Sequence, residues 1–154
     1  MSEKISLVVP CYNEEEVLPY FYEEFCKVAE KLSEFQLEVI FVDDGSKDRT
    51  LAIVKELAEK DTRVKYLSFS RNFGKEAAIY AGFQHADGDY VAMLDADLQD
   101  PPSMLPEMLR GIREEGYDSV ATRRVSRKGE PPIRSFFARR FYRLMNRIST
   151  AEIM

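Results

Sequence analysis

Tyr90-Val91-Ala92-Met93-Leu94-Asp95-Ala96-Asp97-Leu98-Gln99-Asp100-Pro101-Pro102 decides the fold, because an apolar run of strand length ends in three carboxylates and a double proline. In open α/β sheets, ligands bind in the crevice outside the carboxyl ends of the strands. Two carboxylates one residue apart at such an edge, Asp95 and Asp97, suit a hard divalent cation already bound to phosphate oxygens. Gln99, two residues further on, offers an amide oxygen to the same ion, and Mg²⁺ and Mn²⁺ accept oxygen ligands. A D-x-D stretch also occurs as a plain solvated turn, since Asp hydrogen-bonds its own backbone there. The other strand ends have to separate the two readings.

Outward from this stretch, short β-rich runs alternate with helical patterns along the whole chain. Strands are expected over 5–10, 37–42, 64–69, 90–94 and 119–122, and helices over 14–32, 48–59, 75–86 and 103–114. In the second helix, Leu51, Val54, Leu57 and Ala58 show the spacing. Asp48, and Ser103 after the double proline, are plausible helix starts. Each crossover is long enough for a helix, so βαβ units and a mostly parallel sheet flanked by helices follow. A loop over 123–132, with Gly129 and two prolines, leads to a basic amphipathic helix over 133–149.

At 154 residues, 45% hydrophobic and 32% charged, the chain reads as one globular domain without repeats or low-complexity tracts. No stretch reaches the ~18 apolar residues of a membrane span, and the N-terminus lacks a signal-peptide core. The expectation is a soluble cytoplasmic chain. Cys11 and Cys26 have neither metal-ligand spacing nor a disulfide framework around them, and read as reduced packing residues. The net charge of −5 hides an asymmetry: residues 1–109 carry a balance of −11 and residues 110–150 one of +7. The basic end points to a polyanionic partner. Nucleic acid is not expected, because only this end is basic and no recognition module accompanies it.

Three further strand ends carry polar groups that a sheet does not need. The first strand runs into Pro10-Cys11-Tyr12-Asn13-Glu14-Glu15-Glu16, where an aromatic ring and acidic or amide groups could stack on a base and hydrogen-bond a ribose. The alternative is a helix start with Asn13 as its cap. The second runs into Asp43-Asp44-Gly45-Ser46-Lys47-Asp48, where a carboxylate could accept the imide proton of a uracil; a simple Asp-Gly turn fits as well. The third runs into Arg71-Asn72-Phe73-Gly74-Lys75, placing cations and a glycine where a diphosphate could approach a helix N-terminus. Convergence on one sheet edge favours a binding site over four independent turns. His85, the single histidine, has no nucleophile or second ligand near it in sequence and reads as a structural or surface residue.

In order, Val8-Val9-Pro10-Cys11-Tyr12-Asn13-Glu14-Glu15, Phe41-Val42-Asp43-Asp44-Gly45-Ser46, Ser70 through Ala78, and Leu94 through Pro102 resemble the family-2 glycosyltransferases of the GT-A fold. The resemblance is closest to the polyprenyl-phosphate branch, the dolichol-phosphate mannosyltransferases and bactoprenol glucosyltransferases. It implies a Rossmann-like nucleotide-binding half and a nucleotide-sugar donor contacted by Pro10, Tyr12, Glu14, Asp44, Lys75, Asp95, Ala96 and Asp97. It also implies phosphate contacts from Arg123 and Arg134, and Mg²⁺ or Mn²⁺ on Asp95, Asp97 and Gln99. The implied reaction is inverting transfer of a hexose from a UDP- or GDP-sugar to a polyprenyl phosphate such as undecaprenyl or dolichyl phosphate.

A lipid phosphate is already largely ionised near neutral pH, so it needs less general-base help than a sugar hydroxyl. In the expected terminal helix, Phe137, Phe141, Leu144, Met145 and Ile148 share one face, and Arg139, Arg140, Arg143 and Arg147 supply charge elsewhere. Such a helix can lie on a membrane surface, on the cytoplasmic side in the whole protein. Members of the family continue well beyond residue 154, so the resemblance implies an N-terminal part that lacks an acceptor-side carboxylate and turns over poorly. Surface left uncovered there would favour a homo-oligomer. Other readings are a transferase with a saccharide acceptor, a sugar-nucleotide pyrophosphorylase, whose Gly-rich loop is absent, and a non-catalytic nucleotide-binding or receiver-like domain.

Overall fold

A computed structural model describes residues 2–122, and every element below lies in one compact unit, Met1–Val120. The elements alternate as expected: β1 (Lys4–Cys11), α1 (Leu18–Lys31), β2 (Gln36–Asp43), α2 (Thr50–Lys60), β3 (Val64–Ser68), α3 (Lys75–His85), β4 (Tyr90–Met93), a 3₁₀ turn (Pro102–Met104) and α4 (Leu105–Glu115). The strands form one sheet in the order β3-β2-β1-β4, and every pairing is parallel. β1 and β2 are central and nearly continuously buried, which is why they read as apolar runs, each interrupted by one buried polar residue, Ser6 or Glu38. The edge strands β3 and β4 are shorter and more exposed.

Successive residues of a strand point to opposite faces. Ile5, Leu7 and Val9 of β1, with Leu37, Val39 and Phe41 of β2, therefore share a core with Leu18, Phe21, Phe25 and Val28 of α1, Val54 of α2, and Leu105 and Leu109 of α4. Phe21 meets Phe41 edge-on, with ring centroids 5.9 Å apart. On the other face, Val8, Ile40 and Val42 pack against Ala78 of α3. Four residues on, a Cβ at Gly82 would lie 2.2 Å from Val8 Cγ1, so α3 rests on β1 at a separation only glycine allows. Just past its C-terminal end, the Gly88 N–H donates to Ser6 Oγ (3.0 Å), which donates to the buried Glu38 (2.6 Å). Lys4 and Lys65 complete that carboxylate's shell at 2.8 and 2.7 Å. α3 is thus seated along its length, and its N-terminus is held at the carboxyl edge of the sheet.

Three expectations need correction. Residues 119–122 form no strand: the segment is mostly exposed, and Val120 turns its side chain toward Gly111 of α4, where an added Cβ would come within 3.0 Å. α1 starts at Leu18 rather than at residue 14, because Glu14–Val17 forms a separate turn in which the Glu14 carbonyl accepts from Val17 N and Leu18 N, both at 3.1 Å. α2 and α4 start two residues late, at Thr50 and Leu105: Asp48 turns the chain by accepting from Thr50 N at 2.9 Å, and the residues around Ser103 take the 3₁₀ turn. The 123–132 loop and the 133–149 helix lie outside the described residues. No helix among the described residues is long and apolar enough to cross a membrane.

Candidate functional site

The chain steps from β1 to β2 to β3 on one side and then crosses to β4 on the other, which makes the β1/β4 junction a topological switch point. A cavity of about 300 Å³ opens there. It is lined by Pro10, Cys11, Tyr12 and Glu14 after β1, Asp44 after β2, Asn72, Gly74, Lys75 and Ala78 at the start of α3, and Asp95, Ala96 and Asp97 after β4. All eight described residues expected to contact a donor lie in this one cavity. Gln99 is not in its wall, and Arg123 and Arg134 lie outside the described residues.

The β1 and β2 exits are laced together. Asn13 takes a left-handed conformation (φ 56°), its N–H donates to Ser46 Oγ (3.0 Å), and its side-chain oxygen accepts from Lys47 N (2.8 Å). Glu14 N donates to Thr50 Oγ1 at 2.8 Å, and the Glu15 carboxylate accepts from Arg49 N at 2.8 Å. Asn13 is therefore a brace between loops and not a helix cap.

Asp44 ties the second loop to the third. Its buried carboxylate accepts from Phe73 N (2.7 Å) and Gly74 N (3.0 Å). Gly45 makes the approach possible: at φ +69° a Cβ would stand 2.3 Å from the Arg71 carbonyl carbon. Asp43 is buried as well, accepting from Ser46 N and Ser68 Oγ, both at 3.3 Å. With both acids committed to the loops, the pair does not form the open acidic pocket of a receiver domain. His85 lies exposed at the far end of α3 with Nδ1 2.9 Å from the Ala81 carbonyl oxygen, in keeping with a structural or surface residue.

The β4 exit alternates. Leu94 and Ala96 are buried while Asp95 and Asp97 are not, so the carboxylates emerge on the cavity side. Leu98 then takes φ 59°, an unfavourable region for a bulky residue, with its side chain against the core. Gln99 N donates to Asp97 Oδ1 at 3.1 Å. Across the cavity, Lys75 Nζ lies 2.6 and 2.8 Å from the two Asp95 oxygens.

Charge dominates this space. Four carboxylates (Glu14, Asp44, Asp95, Asp97) face one ammonium (Lys75), a formal balance of −3. Burial pushes the Glu14 carboxyl above its ordinary value, and Asp97, Asp48 and Asp95 push it further. Burial also raises the Cys11 thiol, which stays a neutral packing group. An anionic ligand enters such a space only with added positive charge, and all-oxygen donors at Asp95 and Asp97 suit a hard divalent ion. Among the described residues no three acid, His or Cys side chains form a complete cage. An ion here would draw its other ligands from phosphate or water, the usual arrangement for Mg²⁺.

Sequence reasoning missed Cys11, Asn72 and Ala78 as wall residues, whereas Gly74 stands where the diphosphate loop was expected. Cys11 and Asn72 lie inside motifs already singled out. Ala78 carried a signal in its spacing, one turn beyond Gly74 on the face of α3 that meets the sheet.

The model of glycosyl transferase family 2 matches residues 6–152. A bactoprenol glucosyl transferase of Shigella phage SfV is 45% identical over 150 residues, covering 97% of this chain and 48% of that protein. The chain thus spans about half the length of the curated relatives it matches. S. aureus TarS 1-349 in complex with UDP has a TM-score of 0.65 at 28% identity, over 83% of this chain and 38% of that one. The mannosyltransferase PcManGT from Pyrobaculum calidifontis, in complex with GDP-Man and Mn²⁺, shares the fold at a TM-score of 0.62 and 23% identity, over 73% of this chain and 33% of that one.

Proposed function

The chain belongs to glycosyl transferase family 2, and from that premise we propose that the cavity at the β1/β4 junction binds a UDP- or GDP-hexose whose sugar passes to a polyprenyl phosphate. The observation that carries the donor reading is the carboxylate-rich cavity at the switch point, with Asp95 and Asp97 leaving β4 opposite the N-terminus of α3. The acceptor reading rests on relatives named for bactoprenol, at 45% identity.

In this reading the exposed ring of Tyr12 stacks on the base, and Pro10 and Glu14 meet the nucleoside. Asp44 holds the Phe73–Gly74 backbone that forms the floor beneath the diphosphate. Lys75 and the first N–H groups of α3 face the phosphates. A Mg²⁺ or Mn²⁺ held by Asp95 and Asp97, with Gln99 nearby, would stabilise charge on the departing diphosphate as a Lewis acid. An oxygen of the acceptor phosphate attacks the anomeric carbon as the bond to the β-phosphate oxygen breaks, and configuration inverts. Arg123 and Arg134 are assigned to phosphates through the family resemblance, and the 133–149 segment to an anionic membrane surface through its basic sequence.

Calorimetric titration of UDP-glucose, GDP-mannose and UDP-GlcNAc, with and without Mn²⁺, tests the donor site. Binding of at least one sugar nucleotide should require Mn²⁺, and Asp97→Asn should remove the metal-dependent part. Absence of affinity for any of them would sink the assignment, and an unchanged Mn²⁺ requirement in the variant would remove Asp97 as a ligand.

A further inference from the structure

We propose that Lys75 is a tethered counter-cation that occupies Asp95 until a donor diphosphate draws it away, so that the divalent ion loads together with the nucleotide and not before it. The inference rests on the donor reading above and adds an order of events to it.

One ammonium lies 2.6 Å from one Asp95 oxygen and 2.8 Å from the other, so it occupies both oxygens that Asp95 could offer a metal. An ammonium and a divalent ion cannot hold the same carboxylate at such distances without strong repulsion. The two ends of the pair differ in freedom. The Lys75 backbone opens α3, which is seated on β1 through Ala78 and Gly82, so the root of the side chain is fixed. Its four-carbon stem is half exposed, with side-chain exposure of 51%, and can reorient without disturbing packing.

Lys75 is also the one basic residue lining the cavity among the described residues. Until a ligand arrives, it is the cation that moderates the carboxylates, its charge opposing the effect of Asp97 and Asp95 on Glu14. A diphosphate supplies more negative charge than one carboxylate. The ammonium then moves to phosphate oxygens, Asp95 is freed, and Asp95, Asp97 and the diphosphate together suit a divalent ion. Because each ligand favours the same arrangement, each tightens the other by the same factor.

The test measures Mn²⁺ binding directly, from the electron paramagnetic resonance signal of the free aquo ion, with the 154-residue chain in the presence and absence of UDP. Lys75→Met should bind Mn²⁺ alone at least about fivefold more tightly than the wild type, the size expected for removing a partly solvated cation near the ion. UDP should then enhance Mn²⁺ binding at least about fivefold less in the variant, whereas Lys75→Arg should stay near the wild type. Lys75→Gln provides a second neutral variant should Lys75→Met fold poorly. If the neutral variants bind Mn²⁺ alone no better than the wild type while UDP still tightens it in both, the counter-cation role is wrong and the donor site stands. If neither Mn²⁺ nor UDP binds the wild type, both fall.

Discussion

Asp44→Asn distinguishes a residue that builds the site from one that only touches a ligand. The Asp44 carboxylate spends one oxygen on Phe73 N at 2.7 Å and the other on Gly74 N at 3.0 Å, and the residue is 3% exposed. Asparagine keeps one acceptor oxygen and turns an NH₂ group toward the second N–H, donor against donor. A hydrogen bond to a charged group contributes about 1.5–3 kcal/mol, and the substitution loses one such bond outright and the charge assistance of the other, about 2–4 kcal/mol together. For a domain of this size each kcal/mol moves Tm by about 3 °C, so a fall of about 6–12 °C is expected. Thermal unfolding followed by circular dichroism at pH 7, without nucleotide, measures it. Amide exchange at Phe73 and Gly74 localises it, and both N–H groups should lose protection. A Tm within about 2 °C of the wild type with unchanged exchange at those amides would refute the structural role.

Two further outcomes follow from the same loops. Gly45→Ala forces a Cβ to 2.3 Å from the Arg71 carbonyl carbon and 2.6 Å from Asn72 N, so it should cost at least about 3 kcal/mol in urea unfolding, about 1–2 of it from the left-handed conformation alone. Gly116→Ala, also at positive φ (+74°) but with nothing within 4 Å, should show only that smaller part; equal losses at the two glycines would mean that the 45/71 approach is not rigid. Glu14→Gln should raise Tm at pH 7, since a carboxyl held above its ordinary value makes the charged form unfavourable in the fold. That penalty is full above the raised value and disappears once the carboxyl is protonated in both states, so the gain should close as pH falls below the ordinary 4.5; a gain that grows in acid would contradict it.

The sheet was legible because its central strands are buried on both faces: runs such as Val39–Val42 have no polar position, and Asp, Asn and Gly mark where each strand leaves the core. The four strand-end motifs were legible for the same reason, since polar groups at those points have no packing role. Strand order depends on contacts distant in sequence, such as Val8 with Gly82, and no local pattern shows them. The expected strand over 119–122 failed because β-propensity at a sheet margin measures available neighbours, and Val120 found its neighbour in Gly111. Asn13 as a cap was the natural local reading, overridden by Ser46 and Lys47, 33 and 34 residues away. Asp44 was placed in the site from its motif, but its duty toward Phe73 and Gly74 depends on a loop approach that Gly45 permits.

These bonds divide the cavity into two mechanical regimes. Three of its four sides are cross-braced by short hydrogen bonds: β1 exit to β2 exit through Asn13, Glu14 and Glu15, and β2 exit to the α3 start through Asp44. The part that would meet a base and ribose is therefore formed before any ligand arrives, which lowers the ordering cost of binding. The fourth side is the β4 exit, joined across the cavity by the Lys75–Asp95 ion pair, a contact between partly solvated groups that is worth far less than a braced backbone. Leu98, held at φ 59° with its side chain against the core, spends about 1–2 kcal/mol of backbone strain to aim the Asp97–Gln99 turn. Strain persists where the surrounding structure enforces it. A rigid nucleoside side and an ionic side would suit the proposed reaction, in which the nucleoside stays in place while charge on the diphosphate changes.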